Sequence, residues 1–430
     1  MKKIIQFVGA LPFLVAIFIN AFVDLGHKIV IQNTIYKLYD GAEQVVLTAI
    51  INGLILLPFI LLMCPAGYFS DRFRKTIVMR FSAWAAIACT LLITIFYYLG
   101  WFWAAFAMTF LLAVQSAIFS PAKLGYIKEL FGKERLGEAN GAASSVTIVA
   151  ILAGTFVFTI FFEFLFSEHS STKAEVLKTI APIGFILIAN ALIELLMIYK
   201  LKSYTTPTSI PPFNLKSYLS GRIIIGDLSP LRQNTTIRPS VIGLTTFWGA
   251  GQMMLASFPA FIKEQLAVNN TIVVQGILAC TGIGIALGSI VAGKFSRQRI
   301  ETGLIPIGAF GICAGLCALP HLANTILFAF NFLFVGVCGG LFIVPLNALI
   351  QLNAKSNELG KTLAANNWVQ NVAMLTLLLI TILFMQTGWS TKSLLLFTAV
   401  VAIAGCSYTL FHVPESIARL KHVFSASQSK

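Results

Sequence analysis

Asn20, Asp24, His27 and Lys28 stand inside one long apolar run. Their spacings of four, three and one put Asn20, Asp24 and the His27/Lys28 pair on a single helical face. A carboxylate, an imidazole and an ammonium placed together can bind a charged solute or move a proton. A charge within lipid costs at least about 2.5–3.5 kcal/mol on insertion scales, so an intramembrane ionisable residue is a functional candidate by default. Two readings are open. Asp24 precedes Lys28 by four residues, the better orientation for an i,i+4 ion pair, so the two could neutralise each other and lock the helix. Alternatively the face lines a central cavity and handles substrate charge or coupling ions.

A second concentration is Asn366, Asn367, Trp368, Gln370 and Asn371, too polar for a helix facing lipid. Asn367 and Asn371 share a face with Gln370 beside it, which is expected to point into the bundle, for interhelical hydrogen bonds or for a cavity wall. The same division applies to Asn140, Ser144 and Thr147, and to Asn347 and Gln351; Glu194, Asn331, Trp248 and Gln252 are the remaining polar residues of note. No H-E-x-x-H and no Ser/His/Asp or metal-ligand constellation occurs, which disfavours an intramembrane enzyme. No cofactor or metal is expected. The seven cysteines all lie in apolar stretches without a C-x-x-C; Cys313 and Cys317 share a helix face but lack His or carboxylate neighbours, so they read as packing residues.

The elements holding these residues follow from hydropathy. Of 430 residues 57% are hydrophobic and 11% charged, with mean hydropathy +0.86, against roughly 45–50% and 25% in a soluble domain. Apolar runs fall at about 7–35, 45–69, 77–99, 101–122, 139–163, 180–199, 240–262, 272–293, 303–320, 324–350, 362–386 and 392–413, each long enough for a hydrocarbon core of about 30 Å. They are continuous rather than alternating, which excludes a β-barrel. The expectation is an all-α integral membrane protein of twelve transmembrane helices. The run after Met1-Lys2-Lys3 resembles a signal peptide, but it continues into Asn20-Ala21-Phe22-Val23-Asp24 without an A-x-A-like site and is read as the first span.

The net charge of +14 comes from basic residues scattered over short hydrophilic breaks. Nucleic-acid binding, which needs a dense basic patch, is thereby disfavoured. With the N-terminus in the cytoplasm, only Lys37, Lys173, Lys178, Lys263 and Lys392 fall on the opposite side, and Lys28 stays within a span. That bias predicts a multi-pass protein with both termini cytoplasmic. The longest break, 200–239, is rich in proline and basic residues and reads as a cytoplasmic linker between a six-helix bundle at 1–199 and another at 240–430.

The halves share sequence. Gly67-Tyr68-Phe69-Ser70 after the second span matches Gly293-Lys294-Phe295-Ser296 after the eighth; Leu136-Gly137 matches Leu359-Gly360; Ile118-Phe119-Ser120-Pro121 matches Leu341-Phe342-Ile343-Val344-Pro345. In order and at nearly one offset, these indicate duplication. Between spans two and three, Gly67 would let helices approach closely. Asp71 could cap the next helix and pair with Arg across the seam, and Arg72, Arg74 and Lys75 would hold the loop inside.

The stretch Gly67-Tyr68-Phe69-Ser70-Asp71-Arg72-Phe73-Arg74-Lys75 resembles the G-x-(L/F)-x-D-R-x-x-(R/K) loop of the major facilitator superfamily. Ala21-Phe22-Val23-Asp24, Phe119-Ser120-Pro121-Ala122-Lys123-Leu124-Gly125, Glu138-Ala139-Asn140-Gly141, Gly288 to Glu301, Val344-Pro345-Leu346-Asn347-Ala348 and Ala364-Ala365-Asn366-Asn367 are similar to the bacterial lysophospholipid transporters (LplT-type) and to transporter portions of acyltransferase fusion proteins. Leu25-Gly26-His27-Lys28 departs by adding basic groups. The resemblance implies two pseudo-symmetric six-helix bundles in a bacterial inner membrane, rocking about a midplane site by alternating access. The Gly67, Asp71, Arg72 and Arg74 loop would help close the cytoplasmic side. It implies movement of lysophosphatidylethanolamine-like lipid to the inner leaflet, among membrane lipids, for re-acylation by a separate acyltransferase; no H-x-x-x-x-D signature occurs here. The competing expectation is a porter for a siderophore, drug or metabolite, proton-coupled through Asp24 or His27.

Overall fold

In the computed structural model the described residues are 7–132, 136–167, 172–203, 216, 218, 220–221, 228, 231, 233–296, 300–354, 359–413 and 416–419, without the side chains of 136–138, 140, 141 and 359–361. The extreme termini, most of the 200–239 loop, residues 297–299 of the second G-x-F-S segment and the Asn140 side chain lie outside them.

Every regular element among the described residues is helical: α1 Ala10–Leu38, α2 Gly41–Leu61, α3 Met63–Arg72, α4 Lys75–Leu99, α5 Phe102–Phe131, α6 Leu136–Leu165, α7 Lys173–Ile180, α8 Ile183–Tyr199, α9 Ile237–Leu266, α10 Thr271–Phe295, α11 Leu304–Ala318, α12 Thr325–Asn353, α13 Leu359–Gln386 and α14 Thr391–His412. In lipid each backbone amide and carbonyl must be satisfied within the segment, so long apolar runs close on themselves as helices. Side-chain caps fix several ends. Asn270, Asn324 and Ser390 accept from first-turn amides, and Thr172 with Glu175 forms a reciprocal capping box on α7. Gly100, at φ +74°, ends α4 in a left-handed cap.

The helices differ from the apolar runs in informative ways. The second run breaks at Leu62 into α2 and α3, and the sixth is bent by 52° between α7 and α8. Among the described residues ten helices are long and apolar enough to cross a membrane, or eleven with α7 and α8 taken as one. That is consistent with twelve spans without counting to twelve; α9, with polar Thr245, Thr246, Gln252 and Ser257 along its length, is not among the ten. α5 continues to Phe131, well past its expected end at 122, because Pro121 does not stop it. Pro345 sits inside α12 at the equivalent place. Proline is tolerated within a transmembrane helix where neighbours re-satisfy the freed carbonyl.

Two compact units form, Met1–Leu38 with Leu54–Asn214 and Tyr39–Gly53 with Leu215–Lys430. In the first, a core of Phe13, Met79, Phe119, Tyr126 and Ile198 joins α1, α4, α5 and α8, and α1 lies along α6 with Gly26 under the Phe158 ring. The second takes in the start of α2, where Val45 packs with Met253, Ala260, Met385 and Leu394 and Asp40 meets Lys263 at 2.7 Å.

The closest backbone approach is between α10 and α12, each carrying a small-xxx-small pair: Gly284 with Gly288, and Gly336 with Gly340. A Cβ on Gly288 would fall 2.1 Å from the Val337 carbonyl oxygen, and one on Gly336 would fall 2.3 Å from that of Thr281. Backbone cannot yield as a side-chain tip can, so packing here depends on glycine on both helices. Gly288→Val is expected to destabilise the protein by about 1–3 kcal/mol or more, read as a lowered unfolding midpoint in detergent. Gly276→Ala, on the same helix but facing open space, should leave that midpoint unchanged.

Candidate functional site

The polar face of α1 turns into the first unit and meets α5 and α8. Asp24 is the hub. Its Oδ1 accepts from Gln115 Nε2 at 3.1 Å, its Oδ2 accepts from the Ser116 hydroxyl, and Gln115 Nε2 also reaches Ser116 Oγ at 2.8 Å. One turn earlier, Asn20 Nδ2 donates to Glu194 Oε1 of α8 at 3.2 Å. Glu194 is fully buried, and its Oε2 has no hydrogen-bond partner. Lys123 of α5 lies within electrostatic reach of both Asp24 and Glu194. Two carboxyl groups, one ammonium and three amide or hydroxyl groups therefore share a buried region of one bundle. Such groups are held amid apolar packing only where they satisfy one another or a bound solute.

Lys28, one turn beyond Asp24, is half-buried and has no ion-pair or hydrogen-bond partner among the described residues. The i,i+4 pair open to it on spacing grounds does not form, because Asp24 is turned toward Gln115 and Ser116. His27 points elsewhere. It is completely buried, with Nδ1 2.8 Å from the Tyr97 hydroxyl and Nε2 3.0 Å from the Ala105 carbonyl oxygen. With both nitrogens occupied it ties α1 to α4 and α5. Towards the end of α1, Lys37 bridges to Glu163 of α6 at 3.0 Å and lies over the Phe166 ring.

In the second unit the amides of α13 divide by helical phase. Asn366 and Gln370 form the enclosed pair, and Asn366 Oδ1 has no partner. Asn367 is exposed, and Asn371 donates to its carbonyl at 2.9 Å. The enclosed face is thus 366/370 rather than the 367/371 face expected. Trp368 instead borders an apolar groove of about 420 Å³ with Thr245, Thr246, Val369, Val372 and Leu377. Asn347 is half-buried and donates to Ile343 of its own helix at 3.0 Å; Ser144 is exposed.

Around the α3–α4 turn the geometry corrects the expected capping. α3 runs on through Arg72, so Asp71 lies in the last turn of that helix instead of opening the next, and α4 starts at Lys75 with Arg74 before it and no side-chain cap. Nothing lies within 4 Å of a Cβ placed on Gly67, and the same holds for its repeat counterpart Gly293. Asp71, Arg72 and Arg74 are exposed; among the described residues Arg72 bonds its neighbour Tyr68 alone. The ion pair that does join two helices here is Lys75–Glu129 at 2.9 Å, with the Lys75 stem laid across Gly125.

Sequence reasoning missed Gln115, Ser116 and Lys123. The fourth apolar run ends at 122, which leaves Lys123 just outside it. Continued as helix, Ser116, Phe119 and Lys123 fall on one face. That periodicity was the available signal.

A bundle of long apolar helices with a buried polar cluster fits a solute carrier, and the model of the Major Facilitator Superfamily matches residues 13–376. The chain belongs to that superfamily: it is a multi-pass membrane transporter and not an enzyme. It is similar to the lysophospholipid transporter LplT of Yersinia enterocolitica, 27% identical over 86% of this chain and 85% of that one. It is similar also to LplT of Escherichia coli strain SE11, 27% identical over 86% and 87%. Among solved structures, the inward-open xylose transporter XylE of E. coli aligns with TM-score 0.65 over 96% and 98% of the two chains at 14% identity. A POT family transporter with 5-aminolevulinic acid aligns with TM-score 0.67 over 94% and 96% at 12% identity; these likenesses show the fold alone.

Proposed function

We propose that this transporter moves lysophospholipid with a zwitterionic, ethanolamine-like head toward the cytoplasmic leaflet of a bacterial inner membrane by alternating access, with both termini cytoplasmic. The observation that carries the reading is the Asp24 cluster beside an unpartnered Lys28. A phosphoethanolamine head presents an ammonium and a phosphate two carbons apart. One helical turn, about 5.4 Å, separates an anionic position at Asp24 from a cationic one at Lys28, and Lys123 adds a second ammonium on the Asp24 side. Asp24 is proposed to take the amine; Lys28 and Lys123 take the phosphate. Charge-assisted bonds of this kind are roughly twice as strong as neutral ones. Similarity to the lysophospholipid transporters LplT supports the same substrate class.

Asn20 of α1 and Glu194 of α8 are proposed to position the cluster. Asn366 and Gln370, with Asn140, Ser144, Asn347, Asn367 and Asn371, are retained as proposed lining residues. Gly67, Asp71, Arg72 and Arg74 are proposed to close the cytoplasmic side. An acid at the end of α3 is unfavourably placed against its own helix dipole and is more useful to a partner met in another state. Enclosure of His27 between two hydrogen bonds disfavours it as a proton carrier. A separate acyltransferase is the proposed consumer of the delivered lipid.

The test is uptake by proteoliposomes of fluorescent lysophosphatidylethanolamine, scored by protection from albumin extraction. The expected result is protein-dependent protection with no breakdown of the lipid. Movement of soluble organic acids in the same vesicles, with none of lysolipid, would establish the small-molecule porter instead.

A further inference from the structure

On the face of α4 and α8 away from the Asp24 cluster, Arg80 lies flat over the Tyr199 ring, its guanidinium carbon 4.7 Å from the centroid. Trp84 Nε1 reaches the hydroxyl of the same tyrosine at 3.4 Å. Among the described residues the guanidinium has no ion-pair partner, and Arg80 Nε is shielded and unbonded. Around it the surface is apolar and open, with Ile77, Phe81, Trp84 and Leu196 exposed and Phe81 the most exposed at 72%. Tyr199 is the last residue of α8, followed by exposed Lys200 and Lys202. The segment carrying them is pinned where Tyr126 donates to the Lys202 carbonyl at 2.9 Å. α4 has no acid, and the one acid of α8, Glu194, is buried and bonded to Asn20.

We infer that this face is a binding site for an anionic phospholipid of the surrounding bilayer. The phosphate would sit on the forward nitrogens of Arg80 with Lys200 and Lys202, and the acyl chains would run along Phe81, Ile77 and Leu196. The chemistry favours that occupant. A planar guanidinium held by a ring is pre-set for forked bonding to phosphate, and Trp and Tyr are the residues of the membrane–water boundary. Juxtamembrane lysines and arginines attract anionic lipid at about 1 kcal/mol each. Three cations, with no exposed carboxylate on α4 or α8, would repel the ammonium of a zwitterionic head. The site is separate from the proposed transport cluster, and its occupancy can be read without any transport.

Native mass spectrometry of the purified, delipidated protein provides the test, with phosphatidylglycerol, phosphatidylcholine and inorganic phosphate titrated separately. The expected result is a phosphatidylglycerol adduct preferred over phosphatidylcholine and not displaced by phosphate, weakened about tenfold in Arg80→Gln. The surface variant Lys200→Gln/Lys202→Gln, which touches no core residue, should weaken it at least about threefold and keeps the test open should Arg80→Gln misfold. Equal binding of the two lipids, unchanged binding in the variants, displacement by inorganic phosphate, or a second protein chain on this face in place of lipid would each overturn the assignment.

Discussion

Asp24→Asn is expected to cut lysolipid transport by at least about tenfold while the protein still folds and purifies as the wild type does. The asparagine fills the same volume, keeps an oxygen to accept from Gln115, and offers an amide nitrogen that can donate to Ser116 Oγ; both residues now donate to the carboxylate. What disappears is the charge, and with it the attraction for an ammonium and for Lys123. Loss of one charge-assisted hydrogen bond is worth roughly 1.5–3 kcal/mol, or about one to two decades in rate if the bond is made on the way across. Uptake into proteoliposomes, with gel-filtration profile and unfolding midpoint as controls, separates the two effects. Wild-type uptake by this variant would remove Asp24 from the transport site.

The second large effect is at Lys123. This ammonium faces two carboxyl groups, Asp24 and Glu194, and Lys123→Gln would leave both without a cation. Breaking a buried charge arrangement from one side costs about 3–5 kcal/mol. The variant should therefore lose stability as well as transport, unlike Asp24→Asn. Adding Asp24→Asn to Lys123→Gln removes part of the uncompensated charge, so the double variant should regain stability over Lys123→Gln while remaining inactive. Additive losses of stability would show that the two groups are not coupled.

Hydropathy made the fold legible. Each of the twelve apolar runs corresponds to a helix or a bent pair of helices, because in lipid an uninterrupted apolar segment has few alternatives to a helix. Helix ends were less legible where they carry polar residues. α5 extends past Pro121 to Phe131, and this extension brings Lys123 to the site. Asp24 and Asn20 were visible as polar residues in an apolar run, but their partners are 91 and 174 positions away in the chain. Such pairings come from packing rather than periodicity. The sequence placed Lys28 beside Asp24 correctly in spacing, yet spacing does not decide which neighbour a carboxylate chooses. The α13 amides show the related limit: the segment was evident, its rotation was not.

The most direct measurement of the central claim is equilibrium binding of lysophosphatidylethanolamine and of a monoacylglycerol with the same acyl chain, to wild-type protein and to Asp24→Asn and Lys123→Gln. If the buried cluster reads the head group, wild type should prefer the phospholipid by about tenfold or more, and both variants should lose that preference while still holding the uncharged lipid. A preference that survives in both variants would contradict the account.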